Sequence, residues 1–260
     1  MLPVRLANLV RVPMLETVSN VGEATASRSG WESTARLRHA VVSGASSGIG
    51  QAIVTALLAA GWHVTGLCRR AVAAPPPGLR IVNVDVADLD QLRAALDGLD
   101  GVDAVVHAAG FMRTAPLGAL IPEDGAAMWQ LHVAAAAVLA DTLLPKMANG
   151  GRILLVGSRT ANGAAGRSQY AATKAALIGM ARSWAAELAP RGITVNVVAP
   201  GATDTPFLHD PARQQTPPKL PPLGRFVKPE EVAALAAFLL SDAAASITGQ
   251  QIVMCGGASL

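Results

Sequence analysis

From residue 39 onward the chain alternates short apolar runs with longer stretches in which apolar residues recur at helical spacing. The runs His39 to Ser43, His63 to Cys68, Arg80 to Val84, Val102 to Val106, Gly151 to Gly157, Ile193 to Val198 and Thr248 to Met254 read as strands. Most are rich in valine, isoleucine and leucine and nearly continuous in hydrophobicity, which is the pattern of strands covered on both faces. Helices are predicted over Gln51 to Ala60, Leu89 to Leu99, Trp129 to about Met147, Tyr170 to Leu188, and from Pro229 to near Ser241. Strand and helix in alternation predict an α/β fold, a parallel sheet of about seven strands with helices on both faces. One crossover breaks the pattern. Between Arg70 and the third strand lie Pro75, Pro76 and Pro77, which leave no room for a helix and predict a short loop.

Composition agrees with a buried sheet wrapped by close-packed helices, since apolar residues make up 51% of the 260 and charged residues only 15%. The net charge of +3 comes from scattered Lys and Arg, and aromatic residues are 3%, so nucleic-acid binding is not expected. Cys68 and Cys255 are far apart and without a neighbouring His cluster, so neither a metal site nor a disulfide framework is indicated. No apolar run reaches the roughly 18 residues of a membrane span, and a soluble, cytoplasmic protein is expected. Residues 1–38 lack a clear period, contain Pro3 and Pro13, and read as a flexible N-terminal extension to a domain at 39–260.

Candidate chemistry concentrates between Ser158 and Lys174. Tyr170 and Lys174, four apart, share one face of a helix. A phenol of pKa about 10 is a weak acid at neutral pH, and a neighbouring ammonium favours its anion and brings it toward the working range. Tyr170 thus reads as a proton donor to a developing alkoxide, and Ser158, at the end of a strand, as a hydroxyl that orients a carbonyl. Two such residues four apart also arise by chance on surface helices, so the assignment depends on the rest of the chain.

The rest of the chain supplies a second motif. The first strand runs into Gly44-Ala-Ser-Ser-Gly48-Ile-Gly50, and a helix follows at once. A strand, a glycine turn and a helix N-terminus form a pyrophosphate site, because the backbone can approach the anion and free amides face it. With Ser158, Tyr170 and Lys174, this turn resembles the short-chain dehydrogenase/reductase family over about residues 38–260. The resemblance implies one doubly wound Rossmann-type domain with a nicotinamide dinucleotide as hydride carrier. It implies Ser158, Tyr170 and Lys174 as catalytic residues, with Tyr170 and Lys174 also holding the cofactor. Further cofactor contacts implied are Gly44, Ser46, Ser47, Gly48, Ile49, Gly50, Asp85, Val86, Ala108, Ala109, Gly110, Pro200, Gly201, Thr203 and Thr205.

Where the second strand ends, a carboxylate would bind the ribose hydroxyl of NAD. Arg69 and Arg70 stand there instead, and a guanidinium suits a phosphate, so NADP is expected over NAD. Two positions depart from the family pattern. His107-Ala108 replaces an Asn-Asn pair, and His132 falls where the family has a catalytic asparagine, which makes it a candidate member of the proton relay. Residues 206–224, with six prolines and Phe207-Leu208, suit a mobile substrate lid. The helix from Tyr170 is apolar on every side, and in the family it packs on a partner subunit, so a homodimer or homotetramer is expected. The expected function is NADP(H)-dependent hydride transfer with a small carbonyl or secondary alcohol substrate. The alternatives are a non-catalytic NADP-binding or scaffolding protein, for which the two histidines speak, and epimerase or dehydratase chemistry, whose proteins generally carry a longer C-terminal domain.

Overall fold

The computed structural model describes residues 36–210 and 217–260. Seven parallel strands stand in the order β3-β2-β1-β4-β5-β6-β7. They are β1 His39–Ser43, β2 His63–Cys68, β3 Leu79–Asn83, β4 Val102–His107, β5 Met147–Val156, β6 Thr194–Pro200 and β7 Gln251–Met254. The helices are α1 Gly48–Ala59, α2 Leu89–Asp97, α3 Pro122–Trp129, α4 Ala135–Leu143, α5 Ser168–Leu188 and α6 Pro229–Leu240. Strand order reverses between β1 and β4, so the crevice above the carboxyl ends of these two strands is where a doubly wound sheet takes its ligand.

Successive strand residues alternate between two cores. On one face Val41, Leu67, Val105, Leu155 and Val197 pack with Leu92 and Leu96 of α2, Leu139 of α4 and Leu177 of α5. On the other, Ala40, Val42, Val64, Val106 and Leu154 pack with Ile53 and Leu57 of α1 and Leu239 of α6. Strands covered on both sides explain the continuous apolar runs in the sequence. The tract from 71 to 78 holds no helix, as its three prolines predicted.

Three differences from the sequence reading have local causes. The helix expected from Trp129 begins at Pro122, where proline sits at the first helical position and Glu123 and Asp124 complement the helix dipole in the first turn. That helix ends at Leu143 rather than near Met147, passing through a 3-10 turn over Leu144–Lys146 that contains Pro145. Strand β5 begins at Met147 and not Gly151, because Met147 already pairs with Val102, and a register shift before Ala104 absorbs the intervening glycines. The helical run Pro122–Lys146 is long and apolar enough to cross a membrane by length and composition. Its residues Met128, Val133, Ala135, Ala136, Leu139 and Leu143 are buried within the domain.

Of the extension expected over 1–38, residues 1–35 lie outside the described residues. Arg36 is tied to the domain by an ion pair with Asp103 at 2.6 Å, and the guanidinium of Arg38 stands 5.4 Å from the centre of the Trp62 ring. Of the lid expected at 206–224, residues 211–216 lie outside the described residues. Pro206–His209 form a 3-10 turn.

Candidate active site

The turn from β1 to α1 is shaped by contacts that only glycine allows. Gly44 has φ +71°, and a Cβ there would lie 2.8 Å from the backbone nitrogen of Ala109. A Cβ on Gly50 would lie 2.2 Å from the carbonyl oxygen of Gly44, which is how tightly α1 starts against the strand it leaves. Ser47 is the N-cap of α1, with its hydroxyl not spent on the helix amides. Gly48, Ile49 and Gly50 therefore present the start of a helix to an open cavity.

The same cavity is lined by Gly44, Ser47, Ala108, Ala109, Gly110, Ser158, Tyr170, Lys174, Pro200, Gly201, Thr203 and Thr205, so most of the residues expected from sequence are brought together. Ser46, Arg69, Arg70, Asp85, Val86 and His132 are not part of its wall. Arg69 and Arg70 stand exposed beyond the end of β2, with Arg69 4.0 Å from the carboxylate of Asp85 across the neighbouring strand end. Thr203, Thr205 and Gly201 form a turn after β6 in which the Thr205 hydroxyl donates to the Thr203 carbonyl.

Tyr170 occupies the third position of α5, and Lys174 stacks one turn on, its Nζ 5.9 Å from the centre of the phenol ring. Lys174 is buried and donates to the Val156 carbonyl at 2.9 Å, which anchors α5 to the end of β5. Burial disfavours its charge and brings its pKa down to about 7. Ser158 stands two residues beyond the end of β5, after Gly157. Its Oγ accepts from the Thr160 amide at 3.1 Å, which leaves the hydroxyl proton as the group to offer elsewhere.

Two buried histidines fix this arrangement from behind. His107, at the end of β4, lies 3.1 Å from the Leu131 carbonyl through Nε2 and 2.9 Å from the Ser43 hydroxyl through Nδ1. A carbonyl can only accept, so Nε2 carries the proton and Nδ1 accepts from Ser43, whose oxygen in turn accepts from the amides of Ala108 and Ala109. His132 has the opposite tautomer. Its Nε2 accepts from the Phe111 amide at 3.1 Å, and Nδ1 donates to the Thr173 hydroxyl at 2.8 Å, which passes its own proton to the Tyr170 carbonyl. His132 sits in a single π-helical turn, Gln130–Ala134, between α3 and α4. Burial, and then the charge of Lys174, holds both rings neutral, His107 down to about 3 and His132 well below the ordinary range.

Sequence reasoning missed Met112, Arg159, Thr160, Arg167 and Lys219 in the cavity wall. A signal existed for three of them, Thr160 included, since it lies two residues after Ser158. Arg159 directly follows Ser158, and Arg167 precedes Tyr170 by three residues, inside the stretch already singled out.

A family model described as enoyl-(acyl carrier protein) reductase, one of the short-chain dehydrogenase models, matches residues 44–259. The chain belongs to the short-chain dehydrogenase/reductase family. Among its relatives in this family is the 3-oxoacyl-(acyl-carrier-protein) reductase of Vibrio cholerae, 35% identical over 235 residues, covering 84% of this chain and 96% of that protein. The 2,3-dihydro-2,3-dihydroxybenzoate dehydrogenase of Escherichia coli is 36% identical over 238 residues, again with 84% and 96% covered. A short-chain dehydrogenase from Burkholderia cenocepacia, solved in complex with NADP, superposes with TM-score 0.76 at 33% identity over 86% of this chain and 98% of the other. The seven-stranded parallel sheet with helices on both faces is the Rossmann arrangement that these short-chain dehydrogenases share.

Proposed function

We propose that the chain is an NADP(H)-dependent oxidoreductase that interconverts a carbonyl and a secondary alcohol, chiefly in the direction of reduction. The observation that carries this reading is the convergence of Ser158, Tyr170 and Lys174 with the glycine turn on one cavity. The residues present fit a dinucleotide: the positions where a Cβ would collide with backbone, Gly44 and Gly50, form a cradle at the start of α1. Gly44 to Gly50 would hold the pyrophosphate and the turn Pro200 to Thr205 the nicotinamide end, with Asp85 and Val86 toward the adenine. Arg69, with Arg70 beside it, is assigned the 2′-phosphate, supported by the NADP and NADPH complexes among the similar structures. The bound cofactor supplies the hydride.

Ser158 donates its proton to the substrate oxygen and holds the carbonyl against Tyr170. Tyr170 protonates that oxygen as negative charge develops, and Lys174 lowers the cost of the phenolate left behind. Lys174, poised near neutrality by burial, is charged most readily when an anion stands beside it, which is the situation that proton transfer creates. His132 acts by position: both ring nitrogens are committed, so the side chain pins Phe111 and α5 to the π-turn. Both histidines have each ring nitrogen hydrogen-bonded within the fold, which favours a working site over a silent one.

The compounds after which the relatives are named, a 3-oxoacyl-(acyl-carrier-protein) and 2,3-dihydro-2,3-dihydroxybenzoate, differ widely, so the substrate class comes from this chain's own cavity. Its apolar side, Met112 and Phe207, and the prolines Pro206, Pro218 and Pro221 suit a partly apolar compound under a lid at 206–224. Assembly into a homodimer or homotetramer is supported by the outer face of α4 and α5, where Val138 and Trp184 are only half covered.

Oxidation of NADPH and NADH across a panel of ketones tests the reading. The expected result is turnover with NADPH, with Arg69→Asp shifting the preference toward NADH. Tight NADPH binding with no turnover on any carbonyl would overturn it in favour of a non-catalytic dinucleotide binder.

A further inference from the structure

The loop that leaves β4 runs past Tyr170, and its consecutive residues Phe111, Met112 and Arg113 are held from both ends. The Phe111 amide donates to His132 Nε2 at 3.1 Å, and the Arg113 amide donates to Met128 Sδ at 3.4 Å. Between these two bonds the Met112 side chain is buried in one apolar cluster with Met128 and Tyr170, and it also lines the cavity. Phe207, from the turn Pro206–His209 that follows β6, packs on the same cluster and lines the same cavity. Two segments far apart in the chain thus bring an apolar side chain to the reacting tyrosine.

Arg113 ties these segments together at their outer ends. Its guanidinium lies 5.1 Å from the centre of the Phe111 ring and donates through Nη1 to the Met112 carbonyl at 3.3 Å. The same head stands 4.0 Å from two carboxylates, through Nε from Asp124 on α3 and through Nη1 from Asp210, the residue directly after the 3-10 turn. All three side chains are half-buried. An isolated surface ion pair contributes little, but here one planar head serves a carbonyl and two acids on separate elements, which the single charged point of a lysine copies poorly. Asp210 lies three residues after Phe207, so the ionic tie and the apolar one fasten the same turn to the same loop.

On the reductase reading above, we propose that Arg113 is a positioning residue for the substrate: by joining Asp210 to Asp124 it holds Phe207 on the cluster of Met112 and Tyr170, and so sets the width of the apolar slot beside the reacting carbonyl. Arg113 is not itself part of the cavity wall, and its effect reaches the substrate through Met112 and Phe207. The slot takes a ketone with one flat or branched apolar substituent.

Initial rates with NADPH for acetophenone and for acetone test this. Arg113→Gln is expected to raise the KM for acetophenone by about fivefold, with kcat and the KM for NADPH kept. Acetone, too small to reach both Met112 and Phe207, is little affected. Asp210→Asn gives a smaller rise, and the double variant is no worse than Arg113→Gln alone, because the two substitutions remove one shared contact. Arg113→Lys keeps part of the parent behaviour. An unchanged KM for acetophenone in Arg113→Gln, or rises that add in the double variant, overturns the assignment, while turnover itself leaves the reductase reading standing. Deuterium exchange read by mass spectrometry gives a second readout that needs no turnover. In Arg113→Gln the Leu208 amide, which donates to the Thr205 carbonyl at 2.8 Å, and the amides from there to Asp210 exchange faster, with α1 unaltered. Unaltered exchange in that turn overturns the tie whether or not a ketone is reduced. Faster exchange without reduction of any ketone keeps the tie, and it is then the reductase reading that falls.

Discussion

His107 and His132 show how single residues set the conditions of the site. Each has one nitrogen donating and one accepting, and a second proton on either ring would face a donor with nowhere to bond. The rings must stay neutral, and this has a measurable consequence for stability. The His107 pKa falls from 6.5 in the unfolded chain to about 3 in the fold, chiefly through burial. Between those values the unfolded chain binds the additional proton, so stability rises with pH across this window and is lost as pH falls below 6.5. His132 is shifted in the same direction and adds to the effect. The melting temperature should therefore drop between about pH 7 and about pH 5, and His107→Asn should flatten that drop. An equally steep loss in the variant would place the acid sensitivity elsewhere. Neither network was legible in the sequence. His132 was noticed as a departure, but its partners Phe111 and Thr173 lie 21 and 41 residues away and meet it only through the packing of α5 on the π-turn.

At the scale of elements, the strands were legible because burial on both faces makes their hydrophobic runs continuous, as in Ala40-Val41-Val42 and Ala104-Val105-Val106, all essentially unexposed. Helix α3 was not. Its start, Pro122-Glu-Asp-Gly125, has the composition of a turn, and the contact with α5, where Gln169 donates to the Ile121 carbonyl, adds to the proline and the two acids that favour a helix start there. The β1 to α1 turn is the element on which the cofactor reading depends, and its tightness is testable. In Gly50→Ala the added methyl would overlap the Gly44 carbonyl, a backbone atom that cannot swing aside. The expected outcome is loss of NADPH binding by fluorescence titration with a lowered melting temperature, by about 1–3 kcal/mol of overpacking cost. Binding at the unaltered affinity would show that α1 does not cradle the pyrophosphate.

The molecule as a whole places its chemistry and its half-covered apolar helix surface apart. The cavity opens at the carboxyl ends of β1 and β4, where the strand order reverses, and the half-covered residues of α4 and α5 lie on an outer face of the domain. If that face seats a second copy, Trp184→Glu should shift sedimentation toward the monomer, and an unchanged sedimentation coefficient would remove α5 from the interface. The central claim is that Tyr170 moves the proton at a site that Lys174 and Ser158 prepare. The most direct test is the turnover of Tyr170→Phe with NADPH and the best ketone, measured beside its NADPH affinity. The account predicts a fall in kcat by orders of magnitude with the affinity kept, because the variant removes one hydroxyl and leaves the ring, Lys174 and the glycine turn in place. Turnover near that of the parent chain would contradict it.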